Sequence, residues 1–305
     1  MVRCPCPRIL LTVLVVCCIV AGPVDAADDV FDSNGVKIRY VTEGKGEPVV
    51  LIHGWMGDSS MWGQDRSGNT RLDVTRADGF QLIALDCRGH GKSDKPHDPE
   101  KYGPEMAADV VRLLDHLKIE KAHLIGYSMG AFIAAKVAAT HPERVLSVVY
   151  AGQGPLVAEV ESSVPSGSSE VEVFAKAVDE GKELGSYIIA VIPPGQPKPI
   201  EEFANAIARS LFDGKDVKAF AAAGRSLKNL EVTAEQLRKC KAPILFIHGG
   251  NESESVKQRV AAVRKLLGRG EVKIVEGADH ITTLTKPEFG SVILEFLRSG
   301  KPDSR

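Results

Sequence analysis

Short apolar runs recur along this chain at intervals set by helical sequence, and that alternation limits the folds open to it. The runs are "PVVLIHG" (48–54), "FQLIALD" (80–86), "AHLIGYS" (122–128), "RVLSVVYAG" (144–152), "APILFIHG" (242–249) and "EVKIVEG" (271–277). Each is rich in Val, Ile or Leu and lacks polar alternation, as expected for strands buried on both faces of a parallel sheet. Between them the apolar period lengthens. Val110, Leu113, Leu114 and Leu117 share one helical face in 105–117, and Val256, Val260, Val263 and Leu267 share one in 255–267, where Gly268 is placed to end the helix. Phe289, Val292, Ile293 and Phe296 repeat the pattern in 287–298, with Pro287 suited to the first turn. Alternation of this kind predicts an α/β sheet with right-handed crossovers. Upstream, Ser33-Asn34-Gly35 before "KIRYVTEG" predicts an N-terminal hairpin closed by a tight turn.

Two segments depart from the rhythm. From 154 to 239 no buried strand is evident. "SSVPSGSS" and "IPPGQPKP" read as loops between helical stretches near 170–190, 200–212 and 216–229. An insertion of this size between two strands is most simply a helical cap, so the expected organisation is a core of 27–153 and 240–305 with a cap of 154–239. Residues 1–26 are expected to stand outside the fold. Arg3 and Arg8 precede an apolar run from Ile9 to Ala21 broken only by Thr12, and Val24-Asp25-Ala26 sets small or short residues at a cleavage site. This reads as a secretory signal peptide cut after Ala26; the run is shorter than the ~20 residues that span a bilayer. A secreted or periplasmic protein without stable membrane insertion is the expectation, with a membrane anchor as the alternative if the segment stays uncleaved. With a formal net charge of −2 and acids and bases intermixed, nothing points to a nucleic-acid partner.

The run 122–127 leads into Gly126-Tyr127-Ser128-Met129-Gly130, a G-x-S-x-G pattern followed by the helix former "MGAFIAAKVAA". Strand, sharp turn and helix is the setting in which such a serine is a nucleophile, held exposed at the positive end of a helix. Its base is sought among eight histidines. His280 lies in "VEGADHITTLTKP", just after the last strand, where parallel sheets place their chemistry. His53 and His248 also end strands, but each precedes a glycine and suits a turn; His90 sits in "RGHGKSD". His97, His116, His123 and His141 read as loop, helix face, strand and helix end. The orienting acid is sought after "PILFIHG", where Glu252 is favoured and Glu254 competes; Asp279 is a sequence neighbour of His280 and badly placed to face it. Backbone N–H groups of Met129 and Trp55 are the expected oxyanion donors. Trp55 and Trp62 are expected near a pocket. Phe174, Tyr187, Phe203, Phe212 and Phe220 fit either a pocket or the core of the cap.

Taken together, "VVLIHGW", "LIALDCRGHGKSDKP", "HLIGYSMGAFIA", "HPERV", "RSLKNLEVTAEQLRKCKAPILFIHGGNE" and "VEGADHITTLTKPEFGSVILEFL" resemble, in family order from about Val30 to Leu297, the α/β-hydrolase superfamily in its serine-nucleophile, lidded branch. The resemblance implies a mostly parallel eight-stranded sheet flanked by helices, with a helical cap. It implies Ser128 as nucleophile, His280 as base, Glu252 as acid, and Trp55 and Met129 in the oxyanion hole. Most members carry aspartate where this chain has Glu252; glutamate, one methylene longer, occurs in some. Asp86 and "RGHG" match a structural signature of the family, not a catalytic one. Gly91-Lys92-Ser93 mimics the end of a phosphate-binding loop, but Asp86 stands where that loop needs glycine. Haloalkane dehalogenases and epoxide hydrolases of this fold use an aspartate nucleophile, so Ser128 points away from both. In such a sheet Cys87 follows a carboxyl strand end and Cys240 precedes an amino end, too far apart for a disulfide, and two free thiols are expected.

The activity expected from these residues is hydrolysis of a small ester or similar acyl compound through a Ser-His-Glu triad and an acyl-enzyme, with no metal or organic cofactor. Carbon–carbon bond hydrolysis and cofactor-free perhydrolysis use the same constellation, and a non-catalytic ligand-binding fold is the reading from a different class. Oligomeric state leaves no mark on the sequence.

Overall fold

The computed structural model describes residues 27–63, 79–161, 168–192 and 195–299. The expected signal peptide lies outside them. Eight strands form one sheet: β1 (Ala27–Asp32), β2 (Lys37–Gly44), β3 (Gly46–Ile52), β4 (Gly79–Leu85), β5 (Ala122–Tyr127), β6 (Val145–Ala151), β7 (Ile244–Gly249) and β8 (Glu271–Val275). Their order is β1-β2-β4-β3-β5-β6-β7-β8. β1 and β2 pair antiparallel with each other, and β2 with β4; every other pairing is parallel. The Asn-Gly turn forms as the sequence predicts. Asn34 (φ 58°) and Gly35 (φ 83°) are both left-handed, and Ser33 and Val36 exchange backbone hydrogen bonds across them.

The apolar runs do bury both faces of the central strands. Val50, Ile52, Leu124, Val148 and Phe246 point to one side, which is covered by α1 (Pro104–His116) and α2 (Met129–Thr140). Val49, Leu51, Ile125, Val149 and Leu245 point to the other. β8 departs from this expectation. It is the sheet edge, Ile274 is 52% exposed, and only Val275 of the strand is buried.

Between β6 and β7 lie α3 (Ala158–Glu161), α4 (Ser168–Asp179), α5 (Gly185–Ala190), α6 (Glu201–Phe212), α7 (Val217–Ser226) and α8 (Ala234–Lys239). The helical stretch near 170–190 is broken in two at Gly181, which takes φ 63° in open space. The ends of the insertion are drawn together by a parallel bridge between Val157 and Val232. α3 packs on α9 (Glu254–Leu267), and α8 on α2 and α9, along the flank of the sheet. α4 to α7 build a separate apolar cluster of Phe174, Ile188, Phe212 and Phe220. Each such ring, fully buried, contributes about 1.5–3 kcal/mol. Trp55 and Met56, from the loop after β3, pack into that cluster and join it to the sheet. Phe203 is 60% exposed and stands outside this cluster. α10 (Pro287–Ser299) closes the second face of the sheet through Phe289, Ile293 and Leu297.

Cys87 and Cys240 are both buried free thiols, as the strand polarity requires.

Candidate active site

Ser128 ends β5 in a conformation that L-residues avoid, φ 54° and ψ −114°. Such backbone strain costs about 1–3 kcal/mol and persists only where packing fixes it. Here two glycines do so. A Cβ on Gly126 would lie 2.1 Å from the Gly130 carbonyl oxygen, and one on Gly130 would lie 2.0 Å from that of Ile52. The turn therefore presses α2 against β5 and β3 closer than any side chain allows. The Ser128 N–H is held by Ala151 O of β6 at 2.8 Å, and the hydroxyl stands at the start of α2, where the helix dipole favours negative charge.

His280 reaches the same point from the loop after β8. Its Nε2 lies 3.1 Å from Ser128 Oγ and its Nδ1 2.9 Å from Glu252 Oε2. The Glu252 side chain is 3% exposed, and its other oxygen accepts from the Ser253 N–H at 3.0 Å. Two backbone bonds stitch the glutamate's turn to the histidine's loop, from Gly250 N to Val275 O and from Asn251 N to Ala278 O. The sequence left Glu254 in competition, and the geometry separates the two. Glu254 is 75% exposed and bonds Lys257 at 2.9 Å. Asp279 faces its own turn, accepting from the Ile281 and Thr282 N–H groups and the Thr282 hydroxyl; those bonds hold its carboxyl below the ordinary range.

The backbone N–H groups of Met129, first residue of α2, and Trp55 have no acceptor among the described residues. Gly54, next to Trp55, lies against Ser128: a Cβ on it would meet Ser128 Cβ at 3.4 Å. The Trp55 indole donates to Phe220 O of α7 at 2.9 Å and packs edge-on against Phe174 and Tyr187. Trp62 is 4% exposed and belongs to the core cluster of Leu51 and Leu82.

Of the other histidines, His53, His90 and His248 sit in turns, His123 is buried in β5 against Ser147, and His97 and His116 are exposed. His53 accepts from Cys87 N at 2.9 Å and caps Gly54 O at 2.7 Å, and His248 meets Gly249 O at 2.9 Å. Burial lowers the affinity of His53 for a proton, and burial together with neighbouring His53 drives His90 down to about 3. Asp86 gathers Ser59 N, Lys92 N and the Arg39 guanidinium at 2.7, 2.8 and 3.3 Å. It fastens two loops and does not face Ser128.

One residue near the site escapes sequence reading. Tyr127, the variable residue before Ser128, donates from its hydroxyl to the His280 carbonyl at 2.5 Å and lays its ring 5.5 Å from the imidazole. Burial above all, then the Glu252 charge, raises its phenol and keeps it a donor. A buried phenol always needs an acceptor, but nothing in the sequence says that the acceptor lies 153 residues away.

A family model for the alpha/beta hydrolase fold matches residues 47–287. A putative 2-succinyl-6-hydroxy-2,4-cyclohexadiene-1-carboxylate synthase of Bacillus subtilis (strain 168) is 27% identical, over 88% of this chain and 97% of its own. The dihydrolipoyllysine-residue acetyltransferase component of an acetoin cleaving system from Cupriavidus necator is 30% identical, over 88% of this chain and 71% of its own. Among solved structures, a carboxylesterase of the thaumarchaeon Nitrososphaera gargenis superposes with a TM-score of 0.69 at 23% identity, over 90% of this chain and 98% of that one. The chain belongs to the alpha/beta hydrolase fold family.

Proposed function

We propose that the protein is a serine hydrolase that cleaves a small ester or related acyl compound. The observation that carries this is the continuous hydrogen-bonded line from Ser128 Oγ through both ring nitrogens of His280 to Glu252. Membership of a hydrolase family supports the reaction type. In the proposed mechanism His280 Nε2 takes the Ser128 proton as Oγ attacks the acyl carbon. Glu252, acceptor-only when ionised, fixes the proton on Nδ1 and stabilises the imidazolium that forms. The carbonyl oxygen becomes an oxyanion between the Met129 and Trp55 N–H groups, and each such donor is worth about 3–4 kcal/mol in the transition state. His280 returns the proton to the leaving alcohol. Water, deprotonated by the same ring, then releases the acid from the acyl-enzyme. These steps call on no metal or organic cofactor.

The same proposal takes α4 to α7 as a cap over the pocket and the chain as exported, on the strength of the leader in 1–26. No helix among the described residues is long and apolar enough to cross a membrane.

The test is labelling by a fluorophosphonate, which loses fluoride as it bonds to an activated serine oxygen. Wild-type protein is expected to label and Ser128→Ala to remain unlabelled, with some member of a panel of short and long acyl esters turned over. A folded wild-type protein that does not label overturns the reading and leaves a non-catalytic binding fold. Labelling without ester turnover redirects the substrate to a carbon–carbon bond or a peroxide.

A further inference from the structure

His53 is the first residue beyond β3, and the parallel register that sets Ile52 opposite Leu85 brings it beside Cys87, two residues beyond β4. The side chain is wholly buried, yet both ring nitrogens meet the backbone. The Cys87 N–H donates to Nε2 at 2.9 Å, and a backbone N–H has no other role to play. Nε2 is therefore the unprotonated nitrogen, and the neutral ring carries its hydrogen on Nδ1. Nδ1 lies 2.7 Å from Gly54 O and donates to it. Burial lowers the affinity of the ring for a second proton, which keeps it in this one tautomer.

The Gly54 carbonyl belongs to the same peptide as the Trp55 N–H. That peptide is planar and trans, so its C=O and N–H point in opposite directions, and holding one aims the other. The N–H so aimed has no acceptor among the described residues, and Gly54 lies against Ser128, whose Cβ would be 3.4 Å from a Cβ placed there. The turn that follows runs through Met56 at φ 63°, a region that side chains disfavour, and closes with a bond from Gly57 N to Gly54 O at 3.0 Å. Two donors thus converge on the Gly54 carbonyl, one from the turn and one from His53. Such bonds also polarise the peptide and strengthen its N–H as a donor. The Trp55 indole is fixed separately, by its bond to Phe220 O at 2.9 Å.

We propose that His53 is a positioning residue for oxyanion stabilisation: its ring, locked by the Cys87 N–H, holds the Gly54 carbonyl and so aims the Trp55 N–H at the oxyanion. The proposal rests on the reading of Ser128 as nucleophile and of the Trp55 N–H as an oxyanion donor. Of the two ring contacts, the one made by Nδ1 carries the effect on the reaction, and the one made by Nε2 carries the effect on the fold. Outright loss of an oxyanion donor lowers kcat about 10²–10³-fold. The Gly57 N–H still holds the carbonyl when His53 is changed, so a smaller fall of about 30-fold is expected.

The experiment uses a trifluoromethyl ketone carrying ¹³C at its carbonyl. Ser128 Oγ adds to that carbon, the serine proton passes to His280, and the carbonyl oxygen becomes an oxyanion where the transition state would place its own. The ¹³C shift then reports the pH at which this oxyanion takes up a proton. His280 stands beside it in every variant, so differences between variants read the N–H donors. His53→Gln sets an amide oxygen in the place of Nε2, keeping the bond from Cys87 and losing the donor to Gly54. His53→Asn sets an amide N–H in the place of Nδ1 and keeps that donor. His53→Gln is expected to raise the protonation pH of the adduct by about 1.5 units, which is the same 30-fold, and to lower kcat about 30-fold with KM within about two-fold. His53→Asn is expected to recover most of both, even with the lower unfolding midpoint. Adducts that titrate alike in wild type and His53→Gln overturn the proposal. Equal losses in the two variants also overturn it, and make His53 a filler of the turn. The ¹⁵N shifts of the ring in wild-type protein need no variant to fold: hydrogen on Nδ1 is expected, and hydrogen on Nε2 overturns the proposal. A wild-type protein that forms no adduct instead removes the reading of Ser128 on which it rests.

Discussion

Ser128 and His280 are brought to within one hydrogen bond by two halves of the molecule that hold their residues by different means. The half that carries Ser128 is steric. Gly126 and Gly130 let three backbone segments touch, and the strained φ of Ser128 follows from the lack of any other path for the chain. The histidine's half is polar. Its loop is bonded to the turn of Glu252, its carbonyl to Tyr127, and its neighbour Asp279 to Thr282. A steric constraint tolerates almost no substitution and gives way all at once. A polar constraint is spread over several bonds, and its members can be removed singly while the fold persists.

The largest effect expected from this contrast is at Glu252. Glu252→Gln keeps the shape and replaces the acceptor oxygen by a group that can present N–H to His280, so the ring is held in the wrong tautomer. A fall of about 10⁴-fold in kcat is expected, with KM little moved and thermal unfolding near wild type. Glu254→Gln, changed on a side chain that faces solvent and Lys257, is expected to stay within about two-fold. Equal losses in the two variants break the assignment of the acid.

On the steric side the expected loss is of the fold. Gly126→Ala and Gly130→Ala each drive a methyl into a backbone carbonyl at about 2 Å, with no flexible side chain there to move aside. Destabilisation of 4 kcal/mol or about that is expected in denaturant titrations, alongside poor soluble yield. Gly181→Ala is the control, because it shares a positive φ (63°) but meets nothing within 4 Å. Left-handed strain alone costs it about 1–2 kcal/mol. If all three lose the same amount, crowding at the elbow is not what distinguishes it.

This contrast also accounts for what the sequence disclosed. The steric half is local: strand, G-x-S-x-G and helix lie within 20 consecutive residues, and the glycines that permit the turn are part of the pattern itself. The parallel sheet was legible for a similar reason, since burial on both faces leaves continuous apolar runs in β3 to β7. The edge strand β8 carries such a run without that burial, because edge position depends on strand order, which no single run records. The polar half is long-range. His280 was legible by its place after the last strand, but the choice between Glu252 and Glu254 depended on which carboxylate turns inward, two residues apart on one turn. The burial of Trp62 was hidden for a related reason: nearness in sequence to Trp55 does not fix the face of the sheet on which the indole packs. Tyr127 meets His280 from β5, 153 residues away, a separation over which single-sequence patterns say nothing.

The steric half has one polar support, and acid is expected to expose it. His53 bonds the Cys87 N–H and the Gly54 carbonyl just before Trp55, with His90 beside it at a ring separation of 5.1 Å. Burial holds both rings neutral, with His90 lowered from 6.5 to about 3. The unfolded chain therefore binds protons that the folded one refuses. For His90 that contribution is fully present above pH 6.5 and is lost as pH falls toward about 3, at a slope of up to about 1.4 kcal/mol per pH unit, and His53 acts in the same direction. His90→Asn is expected to flatten the fall of the unfolding free energy between those limits. A wild-type stability that is level across that window removes the buried histidines from the account.

The smallest effect expected is the most informative about the polar half. Tyr127→Phe keeps the ring beside His280 and deletes only the O–H that reaches its carbonyl. The loop retains its bonds to the turn of Glu252, so the imidazole is still presented, though with more freedom about the line joining Oγ and Oε2. Because a general base must meet its proton within a narrow range of distance and angle, that freedom is expected to lower kcat about ten-fold while KM changes less. The lost bond also leaves a carbonyl without its donor, at a cost of about 1–3 kcal/mol in stability. The two readouts separate the possibilities. A drop in stability with kcat unchanged makes Tyr127 a packing residue of β5. A fall in kcat with the pH dependence of kcat displaced from wild type makes it a positioning residue for His280. In that case the residue before Ser128, which belongs by sequence to the steric half, holds the polar half in register with it.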